Sequence, residues 1–502
     1  MPAWTSGYVA DVSYTFGYDP ELNSLRIPFA FISEGFVPPR IETACELGFG
    51  QGLSINVHAA ANPVAWYGTD FNPTQVAFAR GLAAASGAEL TLSDDSFAEY
   101  AQRSDLPMFD LITLHGVWSW VTPENRNILV DFIRRRLNVG GVVMISYNTM
   151  VGWAALMPVR ELMVEHAAVM SAPGDGTLTR VDRALGFAER LMTLNPVFGR
   201  ANPVVGERVK AMRERGGNYL AHEYFNTEWH ATSFAEMSRD LSSAKLSYAC
   251  TASHLDRIDG LQLTPEQMGL LSEIPDRGFR ETVRDMLVNT SFRRDYWVRG
   301  AVRLQPSEQL AALDPILLML VMPPEDVSYT VVGALGEARL NEALYRPLVA
   351  LLGDHRPRSI RDIRLAPELA GFETGQIVQA LTMLVGKHDV MPVHDDAVTL
   401  ALRPQTSRLN AHVLDQARKH GSLTVLASPV TGTGVRLDRV TQLCVLAVTE
   451  GCETAEAVSR FVLSFTDASC TESDPVSEEV IALAQSFLTQ RVPALRALGV
   501  LG

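Results

Sequence analysis

The stretch CELGFGQG, residues 45–52, joins a short apolar run to a segment that reads as the start of a helix. Its three glycines, Gly48, Gly50 and Gly52, stand at every second position. Glycine is used where a ligand or another part of the backbone approaches too closely for a Cβ atom. A glycine-rich turn from a strand into a helix also directs free N–H groups and the positive helix end toward an anion. The sequence therefore predicts an anion-binding turn here.

Strand-like and helix-like segments alternate around this turn, from residue 41 to residue 149. We predict five strands, in the segments IETACEL, AWYGTD, AELTLSD, MFDLITLHG and VVMISYN. The helix after the second strand begins with Asn72 as its cap and Pro73 in its first turn, and the helix after the fourth has Pro123 in its first turn. Strands that alternate with helices in this way imply an α/β fold with a doubly wound, mostly parallel sheet.

The pattern changes after Asn148. Residues 150–240 read mostly as helices, and strand-like text returns at 245–253 and 294–304. We infer that a helical insert interrupts the sheet and covers its ligand-binding edge, and that the last two strands are supplied late. The apolar run ILLMLVM, residues 316–322, follows Asp314 and Pro315, a plausible N-cap and first-turn pair. We predict that this run is a buried helix.

Charge and cysteine usage limit the class of protein. The formal net charge of the 502-residue chain is −14, which argues against broad binding to nucleic acid or to anionic membranes. The five cysteines are scattered, without a C-x-x-C pair, and suit buried thiols in a reducing cytoplasm; they are Cys45, Cys250, Cys444, Cys452 and Cys470. No apolar run is long enough to span a bilayer and no signal peptide opens the chain, so we expect a cytoplasmic protein without membrane insertion.

The residues around the glycines narrow the choice of ligand. Their spacing, G-x-G-x-G, differs from the G-x-G-x-x-G of nicotinamide-binding turns. Glu46 comes just before the turn, and Asp70 closes the second strand, about 20 residues beyond the turn, where a carboxylate can accept from ribose hydroxyls. The third strand ends in Asp94, Asp95 and Ser96, where a carboxylate can accept from an adenine amino group. Alternatively, the glycines form an ordinary turn and the acids are solvated loop ends.

This constellation resembles the class I S-adenosylmethionine-dependent methyltransferases, whose core is a Rossmann-like sheet. The resemblance implies that the glycine turn holds the methionine end of the cofactor, with its carboxylate at the helix N-terminus. It also implies that Glu46 holds the amino group and that Asp70 holds the ribose diol. The remaining cofactor-binding residues implied by the resemblance are Tyr14, Phe71, Asp94, Asp95, Ser96 and His115.

Longer segments are similar to a narrower family. The stretches 115–121 (HGVWSWV), 219–237 (YLAHEYFNTEWHATSFAEM), 244–256 (AKLSYACTASHLD), 292–304 (FRRDYWVRGAVRL) and 426–435 (LASPVTGTGV) resemble bacterial methyltransferases with a methyltransferase regulatory domain. The best-known members are the rickettsial-type protein-lysine methyltransferases. The resemblance implies a protein substrate methylated on lysine side chains, with a small molecule or sugar as the alternative acceptor. A cofactor-binding interaction protein without turnover and a nicotinamide oxidoreductase are further alternatives, the latter disfavoured by the glycine spacing.

The candidates for the methyl-transfer step are His115, Trp118, Tyr224 and Trp229. His115 can contact the cofactor or relay a proton, and Trp118 and Trp120 would face the same way if their loop is extended. The resemblance places Tyr224 and Trp229 over the active site. Packing under the insert is the alternative for both tryptophans of the loop, and His222 and Glu223 either orient Tyr224 or have a core or capping role.

The segment before the first strand carries Tyr14, Phe16 and Tyr18. In related methyltransferases such a segment folds over the bound cofactor, and a simply packed arm is the alternative. The stretch HEYFN is similar to the zinc motif H-E-x-x-H, but Asn226 occupies the position of the second histidine. We therefore expect no metal site.

These inferences divide the chain into five parts. Several parts are expected, because the chain has more residues than one hydrophobic core usually holds. They are an N-terminal arm or lid (1–40), a cofactor-binding Rossmann-like core (41–149), a helical insert or regulatory domain with the last two strands (150–304), a winged-helix-like unit (305–400) and a C-terminal helical unit (401–502). The candidate recognition helix of the winged-helix-like unit, residues 373–387, has no arginine to grip phosphate or guanine. We therefore expect a docking or scaffolding role for it, without nucleic-acid binding.

Overall fold

A seven-stranded sheet forms the centre of the structure, a computed structural model that describes residues 8–9, 11–12, 14–172, 174–466 and 477–501. Its strands are β1 (Thr43–Leu47), β2 (Ala65–Thr69), β3 (Leu90–Ser93), β4 (Phe109–Leu114), β5 (Leu137–Asn148), β6 (Leu246–Thr251) and β7 (Phe292–Arg299). They lie in the order β3-β2-β1-β4-β5-β7-β6. Strands β1 to β5 are parallel, and β7 pairs antiparallel with both β5 and β6. The predicted α/β class, the parallel core and the two late strands are confirmed.

Fifteen helices precede or connect these strands in the described part of the chain. They are α1 (Arg26–Ser33), α2 (Leu53–Ala61), α3 (Pro73–Ser86), α4 (Phe97–Gln102), α5 (Pro123–Arg136), α6 (Met150–Trp153), α7 (Met157–Val169), α8 (Thr177–Thr193), α9 (Val197–Ala201), α10 (Pro203–Met212), α11 (Gly217–Tyr224), α12 (Phe234–Ser242), α13 (Asp259–Gln262), α14 (Pro265–Ser272) and α15 (Arg277–Val288).

Side chains alternate between the two faces of the sheet, as they must along any strand. One face, with Ala44 and Leu111, packs against α1, α2 and α3. The other face, with Cys45 and Ile112, packs against α4, α5 and α12. Because both faces are covered, the carboxyl edge of the parallel strands is where this fold leaves room for a ligand.

The helices of the insert form a separate apolar cluster, which we call the cap. Its core includes Met163 of α7, Leu185 of α8, Val209 of α10 and Ala221 of α11. Val9 of the N-terminal segment is buried in the same cluster, and its N–H donates to the Asn226 side chain at 2.8 Å. The cap therefore packs on the N-terminal arm and not only on the sheet.

A second unit follows the sheet. Its elements are α16 (Pro306–Leu313), β8 (Leu317–Leu320), β9 (Thr330–Gly333), β10 (Gly336–Arg339), α17 (Glu342–Leu352), β11 (Arg358–Ser359), α18 (Ile360–Arg364), α19 (Thr374–Gly386) and β12 (Val390–Pro392). Three of its strands form an antiparallel sheet in the order β11-β8-β12.

The prediction of a helix at residues 316–322 is wrong, because the run forms the central strand β8 of that three-stranded sheet. Leu318, Met319 and Leu320 are all buried, so strand pairing on both sides and packing on both faces outweigh the helix-start signal of Asp314 and Pro315. A short, wholly apolar run carries no periodicity that separates a strand from a helix.

The last unit packs directly on α2 of the central fold. Its elements are α20 (Asp396–Ala417), β13 (Val425–Ser428), β14 (Thr433–Arg436), α21 (Arg439–Thr449), α22 (Ala455–Thr466), α23 (Glu478–Ser486) and α24 (Val492–Ala497). Leu53 and Val57 of α2 share its apolar cluster.

No helix in the described ranges is long and apolar enough to cross a bilayer. Three cysteines are buried and Cys452 is partly buried, whereas Cys470 lies outside the described residues.

Arg293 on β7 joins α15 to the sheet through three carboxylates. Its guanidinium contacts Glu281 at 2.9 Å, Asp285 at 2.7 Å and Asp295 at 2.8 Å. The Arg293 side chain is 7% exposed and that of Asp295 is fully buried, so water solvates this cluster poorly. Removing one member of a buried ion pair leaves an uncompensated charge, which costs more than the pair contributes.

We therefore expect Arg293→Met to lower the free energy of unfolding by about 3–5 kcal/mol, because three buried carboxylates lose their counter-ion. Thermal and urea unfolding followed by circular dichroism measure the change. Arg40→Met is the matched control, since the Arg40 side chain is 89% exposed and its pair with Glu42 is a surface contact. Equal midpoints for the two variants would contradict this assignment.

Candidate functional site

The glycine turn after β1 has the backbone conformation that the sequence predicts. Gly48, Gly50 and Gly52 have φ angles of 78°, 58° and 71°, all in the left-handed region that favours glycine. A Cβ atom at Gly48 would lie 2.6 Å from Val117 Cγ2, and one at Gly52 would lie 2.5 Å from Ala79 Cβ. Substitution at either position is therefore excluded by backbone conformation and by space.

The carboxylate of Asp70, at the end of β2, holds this turn. One oxygen accepts from the Gly50 N–H at 2.9 Å, and the other accepts from the Asn72 N–H at 3.0 Å. Burial raises the pKa of Asp70 to about 7, although both backbone donors oppose the rise. Asp70 therefore connects the turns that follow two adjacent strands.

A cavity of about 480 Å³ opens over the turn. Its wall is built from the N-terminal arm and from the ends of β1 to β4, which is the carboxyl edge of the parallel sheet. The predicted site residues on this wall are Tyr14, Glu46, Gly48, Gly50, Gly52, Asp70, Phe71, Asp95, Ser96 and His115. The structure thus brings ten of the residues singled out in the sequence to one place.

Glu46 lies at the base of the cavity and is 4% exposed. Its Oε2 atom has no hydrogen-bond partner in the described part of the chain. Burial raises the pKa of Glu46 to about 8, and the nearby charges of Asp19 and Asp70 add to the rise. A buried carboxylate that lacks a partner and faces a cavity is suited to bind a cationic group.

His115 follows β4 and forms an ion pair with the arm. Its Nε2 atom lies 3.0 Å from Asp19 Oδ1. Burial alone would lower the pKa of His115, but the Asp19 carboxylate outweighs burial and the pKa lies above its usual value. The arrangement therefore favours the imidazolium form of His115.

The prediction that Asp94 contacts the cofactor is contradicted by the structure, because its side chain faces solvent and not the cavity. It is 52% exposed and lies 3.4 Å from Arg80, also on the surface. Of this group, which lies beyond the end of β3, only Asp95 and Ser96 line the cavity.

The prediction that Trp118 and Trp120 face the same way is wrong. Residues Trp118–Trp120 form one turn of 3₁₀-helix, in which residues two apart diverge by about 120°. Trp118 is fully buried in the core between the sheet and α5, whereas Trp120 lines the cavity. The structure contradicts direct contact of Trp118 with a substrate and leaves Trp120 as the accessible ring.

Tyr224 and Trp229 belong to the cap and are not on the cavity wall. Trp153 packs on both rings, with centroid distances of 5.6 Å to Tyr224 and 4.7 Å to Trp229. The guanidinium of Arg160 lies 5.1 Å from the Trp229 ring and donates to the Tyr224 carbonyl at 2.9 Å. Both side chains therefore pack within the cap, and their placement over the active site is not observed.

The N-terminal arm passes over the glycine turn. The Tyr14 ring lies within 3.5 Å of the position that a Cβ atom of Gly50 would occupy. Phe16 packs on Phe78 of α3, with ring centroids 5.1 Å apart, and the Tyr18 hydroxyl accepts from the Gly434 N–H at 2.6 Å. The arm is thus fixed on both sides of Tyr14.

Sequence reasoning missed two groups that the fold brings to the site. Asp19 pairs with His115, and Tyr8 lines the cavity beside Phe71. The aromatic pattern of the arm could have drawn attention to Asp19.

Comparison with known proteins agrees with this geometry. A family model described as a predicted methyltransferase regulatory domain matches residues 216–299. The uncharacterized protein sll1526 of Synechocystis is 35% identical, over 99% of each chain. The uncharacterized protein RP028 of Rickettsia prowazekii is 27% identical, over 45% of this chain and 90% of its own length.

A solved structure has the same overall fold. PKMT2 from Rickettsia typhi, in complex with AdoHcy, superposes with a TM-score of 0.69 at 15% identity, covering 97% of this chain and all of its own. The seven-stranded sheet, the matched domain and the full-length relative all indicate the same family. The chain therefore belongs to the family of class I, S-adenosylmethionine-dependent methyltransferases that carry a methyltransferase regulatory domain.

Proposed function

We propose that this chain methylates lysine side chains of a protein, with S-adenosylmethionine as the donor. The observation that carries the proposal is the acidic character of the cavity. Glu46 and Asp70 are buried in its wall, and Asp19 stands beside them. Because a nearby cation favours the ionised form of a carboxyl group, these acids suit a cationic cofactor and a cationic acceptor, and they disfavour an anionic small molecule.

The residues present fit the cofactor. The unpartnered Oε2 of Glu46 would accept from its amino group, and Asp70 would accept from its ribose hydroxyls. The left-handed glycine turn leaves room for its methionine end, and Asp95 and Ser96 would meet the adenine edge. When bound, the cofactor supplies an electrophilic methyl group on a sulfonium.

The protein's part in the transfer is alignment of the acceptor and exclusion of water. Tyr14 and Trp120 offer aromatic faces to a cationic amine on the cavity wall. The ion pair between His115 and Asp19 holds the arm against the end of β4.

We also propose the five-part division of the chain, the winged-helix-like character of residues 305–400 and a cytoplasmic location.

Glu46→Gln is expected to weaken S-adenosylhomocysteine binding by about 10- to 100-fold, because a charged hydrogen bond to the amino group is lost. Isothermal titration calorimetry measures the affinity.

The same titrations in buffers of different ionisation enthalpy report proton release. At pH 7 the Glu46 carboxyl, with a pKa of about 8, is mostly protonated in the free protein, and pairing with an ammonium favours its ionised form.

The wild type should therefore release protons on binding at pH 7, and Glu46→Gln should lose most of that release. Asp70, with a pKa of about 7, accounts for the remainder. Glu42→Gln is the control, since that side chain is exposed at the opposite end of β1. Unchanged affinity and unchanged proton release in Glu46→Gln would remove Glu46 from the cofactor site.

The lysine acceptor is tested with radiolabelled S-adenosylmethionine and a bacterial extract. We expect the label in the protein fraction, and acid hydrolysis should yield Nε-methylated lysine. Glu46→Gln serves as the low-activity control at limiting cofactor. Label in the small-molecule fraction would replace lysine by another acceptor, and label that stays on the cofactor would favour a protein that binds the cofactor without turnover.

A further inference from the structure

We propose that a second cavity, next to the one over the glycine turn, binds an acidic side chain of the acceptor protein close to the lysine that is methylated. This inference rests on the proposed function, since it assumes a protein acceptor. It specifies the class of lysine that the chain selects, namely one with an aspartate or glutamate near it in the sequence.

The second cavity has a volume of about 550 Å³. We call it the arginine cavity, because Arg294 of β7, Arg436 of β14 and Arg491, just before α24, line it. The arm and the segments around β8 and β12 complete its wall. The cavity therefore lies where the central sheet, the arm and both later units meet.

Asp19 places the arginine cavity beside the site of methyl transfer. This residue lines both the arginine cavity and the cavity over the glycine turn. Its carboxylate is already engaged, because one oxygen lies 3.0 Å from His115 Nε2 and the other accepts from Ser54 Oγ at 3.4 Å. A peptide whose lysine enters the cavity over the glycine turn thus has its neighbouring residues within reach of the arginine cavity.

The guanidinium groups of this cavity have unused donors. Arg294 Nε lies 3.8 Å from Glu21 Oε1, beyond hydrogen-bond distance. Arg491 Nη2 likewise lies 3.6 Å from Asp326 Oδ2. Arg436 donates to one backbone carbonyl oxygen of the arm, and in the described part of the chain these three guanidinium groups make no further hydrogen bond. Since each guanidinium carries five N–H donors, most of them remain for an incoming carboxylate.

Another arginine-rich cavity in the protein provides a contrast. It lies beside β6 and α15 and has a volume of about 490 Å³. Its arginines are engaged by the protein itself. Arg257 pairs with Glu34 at 2.9 Å, and Arg293 contacts the three carboxylates described above. Arg284 pairs with Asp259 at 2.6 Å. Those guanidinium groups hold the fold together, whereas the ones in the arginine cavity are available to a ligand.

A buried cation behind the wall adds to the positive charge. Arg26, the first residue of α1, is 2% exposed, and its Nη1 lies 2.9 Å from Nδ1 of His388 on the wall. Its Nε has no hydrogen-bond partner, and no carboxylate among the described residues lies within ion-pair distance of it. Because the whole chain has a net charge of −14, the four guanidinium groups around this cavity are a local excess of positive charge, which attracts an anion.

The rest of the wall suits a side chain that belongs to a peptide. Met322, Met391, Leu495 and Leu498 line the same cavity and offer apolar surface. A small free anion would fill little of this volume, since one water molecule takes about 30 Å³. Arginine binds carboxylates with charge-assisted, often paired hydrogen bonds. The occupant is therefore an aspartate or glutamate together with its neighbouring residues.

The first experiment measures the preference for an acidic neighbour. Peptides with one central lysine and blocked termini carry Glu or Gln at each flanking position in turn. The ratio of kcat/KM for label transfer from S-adenosylmethionine is then taken within each pair. We expect Glu to be preferred by about tenfold at one or two positions, because an amide cannot replace the charge-assisted hydrogen bonds of a carboxylate. Label transfer with equal rates at every position would overturn the inference and leave the proposed function standing.

Variants connect this preference with the cavity. Arg294→Gln and Arg491→Gln should each bring the Glu-to-Gln ratio toward one, and the ratio does not depend on how much enzyme is folded. Arg491→Glu should prefer Arg to Gln at the same peptide position. Arg356→Gln is the matched control, since that side chain is 82% exposed, lies 3.9 Å from Asp354 and is not on the cavity wall. Cavity variants that keep the wild-type ratio would overturn the inference.

A binding measurement does not depend on turnover. The same peptide pairs, labelled with fluorescein and with norleucine in place of lysine, are titrated with protein and S-adenosylhomocysteine, and fluorescence anisotropy is recorded. The wild type should bind the favoured Glu peptide about tenfold more tightly than its Gln counterpart, and Arg491→Gln should lose this difference. A Glu preference in binding without any label transfer would remove lysine methylation and keep the acidic-peptide site, whereas no preference in binding would overturn the inference.

Inorganic phosphate is the probe for a free anion in the arginine cavity. Added at constant ionic strength, it should reduce the Glu-to-Gln ratio of the wild type, because it competes with the peptide carboxylate. If phosphate instead changes the rates of Glu and Gln peptides equally, and does so in the wild type but not in Arg491→Gln, the cavity binds a free anion and the inference is wrong.

Discussion

The site depends on the carboxylate of Asp70, which accepts one backbone hydrogen bond from the turn after β1 and one from the turn after β2. These two turns lie at neighbouring strand ends, and the shared acceptor fixes their separation. Gly50 can donate in this direction because its φ angle is positive, a conformation that most side chains disfavour. The preformed cavity is therefore a product of backbone geometry held by one buried acid.

Burying carboxyl groups at the carboxyl edge of the sheet lowers the stability of the folded protein and favours the binding of a cation. Burial raises the pKa of Glu46 to about 8 and that of Asp70 to about 7. A cationic ligand that enters the cavity supplies the charge that each carboxylate lacks. Perturbed pKa values of this kind concentrate at functional sites, where the free energy lost in folding is recovered on binding.

The sequence predicts the central fold well, because the alternating pattern from residue 41 to residue 149 has one consistent architecture. It also predicts most of the cavity wall, since the polar residues that follow parallel strands meet at one edge. It fails where geometry depends on a local turn. The 3₁₀ turn separates Trp118 from Trp120, and the position of Asp94 depends on which way one strand-end residue points.

Other sequence-based predictions fail because the structure of the segment depends on tertiary contacts. The run at 316–322 becomes a strand only because β11 and β12 pair with it, and both come later in the chain. Helix α11 packs on an N-terminal segment more than 200 residues away, where His222 lies 3.0 Å from the Val12 carbonyl oxygen. Periodicity describes single elements, so it cannot report contacts of this range.

The contact between Tyr18 and the hairpin of β13 and β14 makes the two ends of the chain interdependent. Tyr18 stands four residues after Tyr14 and one before Asp19, and Gly434 leaves the space that its ring occupies. A shortened protein that ended before this hairpin would lose this tether on the arm. A substitution in the hairpin would therefore act on the cleft, although Tyr18 and Gly434 lie more than 400 residues apart in the sequence.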